Sequence, residues 1–197
     1  HFQRQRKLND QRTKLIYEML GISLIICIGG ILLTNWFSNK MAGELQARIM
    51  IHVVYMAQLC LPLMLLRMIC LTSHTSEDSF FKCVAMILSV FSMVILMNPW
   101  TGWISYPGED GWLHVGPLYS FEICGMIGFY LVDFVFLFRK RKMMKQKQKV
   151  ALAEAISIMI AGIVLQKVCR LFLAVGFAAT LMMIVLYLAM HNPYAYI

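Results

Sequence analysis

Six long runs of apolar residues, separated by short polar connections, set the pattern along this chain. A helix rises about 1.5 Å per residue, so about 20 apolar residues cross the hydrocarbon core of a bilayer. The runs predict six transmembrane helices at 15–37, 49–71, 80–98, 117–138, 150–167 and 171–190. The last two runs are almost contiguous, so they are expected to form a tight helical hairpin. The predicted fold class is therefore an all-α membrane protein, a six-helix transmembrane bundle.

Composition supports lipid as the solvent for these helices. Of the 197 residues, 60% are hydrophobic and 14% are charged, and the mean hydropathy is +0.69. A soluble domain of this length could not bury so much apolar side chain, because a small protein keeps a large share of its surface in water. The six cysteines form no CxxC pair, which is typical of neither a disulfide framework nor a zinc site.

Basic residues are distributed unevenly about the predicted helices. Five lie in the flank 1–14, seven lie in 139–149 (RKRKMMKQKQK), and Arg67 and Lys82 flank the connection between the second and third helices, so one side holds fourteen of the eighteen. Cytoplasmic connections carry an excess of Lys and Arg. The distribution predicts a cytoplasmic basic flank at 1–14 and both ends of the chain in the cytoplasm. Anionic lipid headgroups are the expected partner of this charge. Nucleic acid is not, because 139–149 has no interleaved aromatic residues and lies between two membrane helices.

The longest predicted outer connection, NPWTGWISYPGEDGWLHVGPL at 98–118, contains no Lys or Arg. Its turn composition at 107–111 lies between two runs rich in β-branched and aromatic residues, 103–106 and 112–115. These features predict a short extracellular β-hairpin over the outer mouth of the bundle. The alternative is an irregular loop whose aromatic side chains are anchored among the headgroups, and the two are compatible.

Residues 98–118 resemble the outer loop of the seven-helix sensory region that precedes GGDEF diguanylate cyclase domains in Gram-positive bacteria. Related regions precede some sensor histidine kinases. The resemblance continues through the basic connector 139–149, the segment IVLQKV at 163–168 and the final LYLAMHNPYAYI at 186–197, which is similar to the stretch just before the cyclase domain. It covers nearly the whole chain.

The resemblance implies a signal-sensing receptor module of the bacterial cytoplasmic membrane, not an enzyme, with residues 15–190 as the sensory bundle. Such regions have seven helices, so we expect a seven-helix sensor that lacks its first helix. Because the chain opens on His1, with charges from Arg4 onward, it is expected to be an internal fragment. Residues 191–197 would begin the linker to a cytoplasmic diguanylate cyclase or, alternatively, a histidine kinase. The catalytic residues and any metal or cofactor are expected outside this fragment.

Polar and aromatic residues near the predicted outer helix ends suggest a ligand site. His52 and Tyr55 share one face of the second helix, and Glu122 lies at a similar depth in the fourth. Small-molecule sites combine aromatic walls with a few orienting polar groups. The hypothesis of a site for a small-molecule or peptide signal rests on one set of residues: His52, Tyr55, Trp100, Trp103, Trp112, Tyr119, Glu122 and Gln166. The alternative for His52 is a structural contact with Glu122 or with a backbone carbonyl that locks two helices together.

Two acids of the fourth helix are expected to share one face. Asp133 follows Glu122 by eleven residues, close to three full turns. A proton or cation path would use carboxylates in such a column, whereas the competing prediction is an ion pair of Asp133 with Arg139 or Arg141.

Other functions and partners remain open at this level. A small-solute transporter or an ion-conducting protein would use the face of Glu122 and Asp133, but the chain shows no evident internal repeat. An intramembrane hydrolase would need several acids or histidines at one depth, and only His52 and Glu122 qualify. Small-residue spacings such as Ala174/Ala178 permit a homodimer.

The predicted orientation is testable by cysteine labelling in intact cells. With a membrane-impermeant thiol reagent, we expect Asp110→Cys to be labelled and Gln146→Cys to be labelled only after permeabilisation. The parent protein, with its own six cysteines, provides the background. Labelling at 146 but not at 110 in intact cells would reverse the orientation.

Overall fold

The computed structural model describes residues 2–39, 44–73, 79–108, 113–169 and 173–191. Six helices follow one another: α1 Phe2–Asn39, α2 Glu44–Thr72, α3 Ser79–Thr101, α4 Tyr119–Lys140, α5 Gln146–Cys169 and α6 Leu173–His191. Two short strands, β1 Ser105–Pro107 and β2 Leu113–Val115, lie between α3 and α4, and a single 3₁₀ turn, Arg141–Met143, follows α4. The all-α architecture with six helices is confirmed, and a small two-stranded sheet is present.

The helices have the length and composition of membrane spans. Helices α1 to α5 each contain a stretch that is long and apolar enough to cross a membrane. Helix α6 is also apolar but shorter, at Ala174–Met190. Many large apolar side chains point outward, as expected where lipid replaces water. In the length and composition of its helices, the chain is a multi-pass membrane protein.

Small residues allow several helices to approach one another closely. Gly29 of α1 lies against Val54 of α2, Gly176 of α6 lies against Cys27 of α1, and Gly162 of α5 lies against Ala178 of α6. The Arg12 guanidinium also donates to the carbonyl oxygen of Leu71, at 2.9 Å, so the start of α1 lies beside the end of α2. Consecutive helices therefore run antiparallel. We call the end of the bundle that carries β1 and β2 the hairpin end, and the end that carries residues 139–149 the basic end.

Five helices form a closed ring, and the sixth lies outside it. Helix α1 packs on α2 and α6, α4 packs on α2 and α5, and α5 packs on α6. Helix α3 packs against the outside of α2, and its Phe91 and Phe80 rings contact Phe129 and Phe136 of α4. In the apolar stretch of α2, 56% of the residues are buried, compared with 22% in α3. Helix α2 is therefore the central helix, and α3 is peripheral.

The helices extend beyond the apolar runs that predicted them. Helix α1 begins at Phe2 rather than at residue 15, because residues 2–14 contain neither Gly nor Pro and are rich in good helix formers. Helix α3 passes through Pro99 and ends at Thr101, beyond the predicted residue 98. Helix α2 likewise continues through Pro62. The apolar runs mark the part of each helix that is expected to lie in lipid. The ends of a helix depend instead on backbone conformation, so a helix can continue into polar sequence.

The close approach of α6 to α1 makes a clear stability prediction. A Cβ atom at Gly176 would lie 2.9 Å from the Cα atom of Cys27, so Gly176→Ala requires a backbone shift. We expect a loss of about 1–3 kcal/mol, the usual cost of overpacking. That loss corresponds to a melting temperature lower by about 2–4 °C per kcal/mol.

Gly128→Ala is the matched control, because nothing lies within 4 Å of a Cβ atom there. Thermal unfolding in lipid nanodiscs should leave this variant at or slightly above the parent value, since Ala favours helix. Equal melting temperatures for the two variants would contradict the close packing of Gly176 against Cys27.

Candidate functional site

The connection between α3 and α4 folds as a β-hairpin, as its composition predicted. Strands β1 and β2 pair antiparallel, with Tyr106 opposite His114. These two rings stack with their centroids 5.6 Å apart. The strands are shorter than the predicted runs, and residues 109–112, which include Trp112 of the predicted site, lie outside the described residues. The predicted pairing of two short strands is thus present, and it is compatible with aromatic side chains anchored among headgroups.

Backbone hydrogen bonds hold the base of the hairpin closed. The Gly116 amide donates to the Ile104 carbonyl at 2.7 Å, and the Leu118 amide donates to the Trp103 carbonyl at 2.8 Å. A Cβ atom at Gly116 would collide with the carbonyl oxygens of Gly102 and Trp103, so only glycine fits there. The chain therefore returns directly from β2 to the start of α4.

The side-chain amide of Asn98 connects the hairpin to α3 by hydrogen bonds. The Oδ1 atom of Asn98 accepts from the Ile104 amide at 2.7 Å and from the Ser105 amide at 3.3 Å. The Nδ2 atom of Asn98 donates to the Ser105 carbonyl at 3.1 Å. Because Asn98 is buried, these three bonds replace water for the start of β1. We call this arrangement the Asn98 latch.

The latch continues into the helix bundle through Ser105 and Tyr55. The Tyr55 hydroxyl lies 3.1 Å from the Ser105 hydroxyl, and both residues are buried. The carboxyl group of Glu122 and the ring of Tyr119, both on α4, lie within electrostatic reach of Tyr55. Glu122 itself is only 4% exposed. A connected set of polar groups thus runs from the hairpin to α2 and on to α4.

Gln166 completes this set from α5. The glycine contacts between α5 and α6, α6 and α1, and α1 and α2 relate the depths of these helices around the ring. On that register, Gln166 lies within about one helical turn of Tyr55 and Glu122. Its Oε1 atom is buried and has no hydrogen-bond partner among the residues that the structure describes. We call Tyr55, Glu122 and Gln166 the hairpin-side polar site.

His52 has a structural contact instead. Its Nδ1 atom lies 3.2 Å from the Ile95 carbonyl oxygen, so the ring donates a hydrogen bond there. This carbonyl lacks its usual helical donor, because the residue four positions on is Pro99, which has no N–H group. One turn away on α2, the Arg48 guanidinium donates to the Pro99 carbonyl at 2.8 Å. The pair locks α2 to the end of α3, which matches the structural alternative for His52.

The predicted aromatic wall is mostly turned outward. Trp100 is 78% exposed and Trp103 is 43% exposed, whereas Tyr119 is partly buried beside Tyr55. Exposed tryptophans at the end of an apolar helix are typical of a headgroup belt. The structure therefore places Tyr119 and Glu122 within electrostatic reach of Tyr55 and Gln166 at a similar depth, whereas Trp100 is exposed and His52 contacts α3.

Further polar groups lie deeper in the bundle. Glu122 and Asp133 share the buried face of α4, as the spacing predicted. The ion pair predicted for Asp133 is not formed: its Oδ2 atom has no hydrogen-bond partner within the described chain, and the Arg141 guanidinium lies over the Phe138 ring, at 4.0 Å. The Gln58 Nε2 atom and the Tyr130 hydroxyl are also buried without a partner in the described segments. Neither side chain was among the predicted site residues, although each interrupts an apolar run.

No group of three or more His, Cys, Asp or Glu side chains that could hold a metal ion occurs within the described ranges. Comparisons with protein-family models, curated proteins and solved structures found no match to this chain. The resemblance to sensory regions of diguanylate cyclases therefore stays a prediction.

The Asn98 latch predicts how the hairpin responds to substitution. Asn98→Ala removes three hydrogen bonds and leaves buried backbone groups without partners, which costs about 1–3 kcal/mol. We expect hydrogen exchange at the Ile104 and Ser105 amides to accelerate by about 10–100-fold, since local opening sets that rate. Tyr55→Phe removes one bond and should have a smaller effect. Ser120→Ala, an exposed position at the same end, is the control. Unchanged exchange in Asn98→Ala would contradict the latch.

Proposed function

We propose that this chain is the membrane-embedded sensing module of a bacterial signal-transduction protein. The observation that carries the proposal is the hydrogen-bonded connection from the hairpin, through Asn98 and Ser105, to Tyr55, with Glu122 within electrostatic reach of Tyr55 inside the bundle. A connection of this kind lets an event at one membrane surface alter helix packing directly. The hairpin end would face outward, as the distribution of basic residues predicts.

The central position of α2 supports transmission along the bundle. Tyr55 receives the hairpin contact in the half of α2 that is nearer the hairpin end, and the Leu71 carbonyl accepts from Arg12 of α1 at the basic end. Helix α1 in turn packs against α6, which leads to the end of the chain. A signal that binds two arrangements of α2 with different affinity would therefore shift α6.

The chemistry of the hairpin-side polar site favours a small polar signal. Tyr55, Glu122 and Gln166 offer hydroxyl, carboxyl and amide groups in a setting with little water. No ion pair of Glu122 with a basic side chain is seen in the described part of the chain. A ligand that donates hydrogen bonds or carries positive charge would complement this site. The hairpin above it would limit access to water and to larger molecules.

The proposed output is a diguanylate cyclase domain that follows this module, with a histidine kinase as the alternative. This assignment rests on the resemblance of 98–118, 139–149 and 186–197 to cyclase-linked sensory regions. Anionic headgroups at the basic connector and a homodimer are the proposed partners. The competing proposal of an ion-conducting protein is less well supported, because Leu65, Leu66 and Ile69 fill the basic-end half of α2 with fully buried apolar side chains.

The test compares two glutamates with the same substitution. Glu122→Gln alters the hairpin-side polar site, whereas Glu154→Gln changes an exposed position on α5. In a bacterial host without other cyclases, we expect Glu122→Gln in the full-length protein to change cyclic di-GMP per folded molecule by about 5–150-fold, the usual range of allosteric coupling. The control should leave it unchanged.

Folded yield in the membrane fraction is measured beside the output for each variant. If the output of Glu122→Gln falls only in proportion to folded yield, the carboxyl group is structural and the sensing proposal fails. Phosphate transfer from ATP in place of cyclic di-GMP synthesis would assign the output to a kinase and retain the sensing role.

A further inference from the structure

Three buried polar atoms below the hairpin-side polar site have no partner in the described residues: the Gln58 Nε2 atom, the Tyr130 hydroxyl and the Asp133 Oδ2 atom. Gln58 is 3% exposed, Tyr130 is fully buried and Asp133 is 1% exposed. Within a membrane span, an unpaired polar group is more costly than in a soluble protein, because no bulk water reaches it. Such groups point to an occupant.

Helix α3 fixes the relative depth of these side chains, because it contacts both α2 and α4. Its Ile95 carbonyl accepts from His52 of α2, and its Phe91 ring, one turn further along, lies against Gly125 of α4. On this register, Tyr130 begins less than one turn below Gln58. Helical side chains lean toward the helix N-terminus, which for both α2 and α4 is the hairpin end, so this offset of less than one turn is kept.

Asp133 lies about one turn deeper than Tyr130, within electrostatic reach of it. Directly below Asp133 comes an apolar layer, before the buried Thr72 at the end of α2: on the same two helices, Leu65, Leu66, Ile69, Phe136 and Leu137 are all buried. Above it lie Tyr130, Gln58 and then the hairpin-side polar site. The polar groups thus form a column that is continuous toward the hairpin end and closed toward the basic end.

The column contains a carboxyl group but no basic side chain. The titratable residues at the depth of Asp133 on the helices packed against α4 are all exposed and point away from the core: Arg67 of α2, Lys82 and Cys83 of α3, and Glu154 of α5. Tyr130 is the buried titratable residue next to Asp133 on α4, and the half-buried Arg12 guanidinium of α1 lies deeper, at the Leu71 carbonyl near the end of α2. An ionised carboxylate here needs a positive charge from outside the protein, because lipid provides none.

We infer that Asp133 and Tyr130 form a binding site for a small monovalent cation, either a proton or Na⁺, which enters from the hairpin end past Gln58. Carboxylate and phenol oxygens are ligands that hard cations prefer, whereas the unpaired Gln58 Nε2 atom is a hydrogen-bond donor and is not a ligand. A proton would instead be held on the Asp133 carboxyl group and hydrogen-bonded within the column. The site is separate from the hairpin-side polar site, and its occupancy does not require the unidentified signal.

The experiment measures thermal unfolding of the full-length protein in nanodiscs, with Asp133→Asn and the exposed control Asp10→Asn. One series replaces choline chloride by NaCl at constant ionic strength and pH 8. A second series varies pH in choline chloride alone. If Na⁺ is the occupant, the first series should raise the melting temperature of the parent and of Asp10→Asn by about 3–6 °C at tenfold saturation. Asp133→Asn should not respond.

If a proton is the occupant, the difference appears in the second series. The melting temperature of the parent should then fall relative to that of Asp133→Asn as pH rises. In that case the Asp133 carboxyl group binds a proton more tightly in the folded state than in the unfolded state, so removing that proton at high pH destabilises the folded parent. Identical responses of the parent and Asp133→Asn in both series would overturn the site. If Asp133→Asn does not fold, Tyr130→Phe serves in its place. At least half of the parent's change in melting temperature should then disappear. A change as large as the parent's would count against the site.

Discussion

In a bilayer, a backbone carbonyl that loses its helical partner has no water to replace it, and this constraint explains the hairpin end of the protein. Pro99 removes the donor for the Ile95 carbonyl, and His52 supplies one from a neighbouring helix. Arg48 then binds the carbonyl of Pro99 itself. The last turn of α3 is thereby held to α2, and the adjacent Asn98 side chain can orient the first residues of β1. The hairpin depends on that helix end for its position.

The same constraint makes α2 the helix on which the other parts converge. Along one face it donates to α3, along another it packs against Gly29 of α1, and between them Tyr55 reaches the hairpin. Polar contacts concentrate near the two ends of α2, whereas its basic-end half is filled by apolar side chains. Rigid attachment at both ends and a polar interior near one of them are the properties expected of an element that couples one membrane surface to the other.

Hydropathy predicted the number and order of the helices because lipid imposes a length on each apolar run. It could not predict the helical extension at 2–14, since that segment is polar and its helicity depends on the absence of Gly and Pro. The two paired strands could be predicted from the turn-forming residues at 107–111 and from the strand-forming runs on either side of them. The similar depth of Tyr55, Glu122 and Gln166 could be predicted in part from the sequence, because periodicity gives the depth and the face of a residue within one helix. Which helices are neighbours is a tertiary property, and so the contacts of His52 and the unpaired state of Asp133 required coordinates.

The contact between His52 and the carbonyl of Ile95 exists because position 99 is proline. An ordinary residue at 99 would supply its own N–H group to that carbonyl, and the imidazole would become redundant. The identities of positions 52 and 99 are therefore expected to be interdependent across homologous chains. Loss of the histidine is tolerable where the proline is absent, and the proline is costly where the histidine is missing. A residue that resembles a ligand-binding group by its chemistry is here a consequence of a proline on another helix.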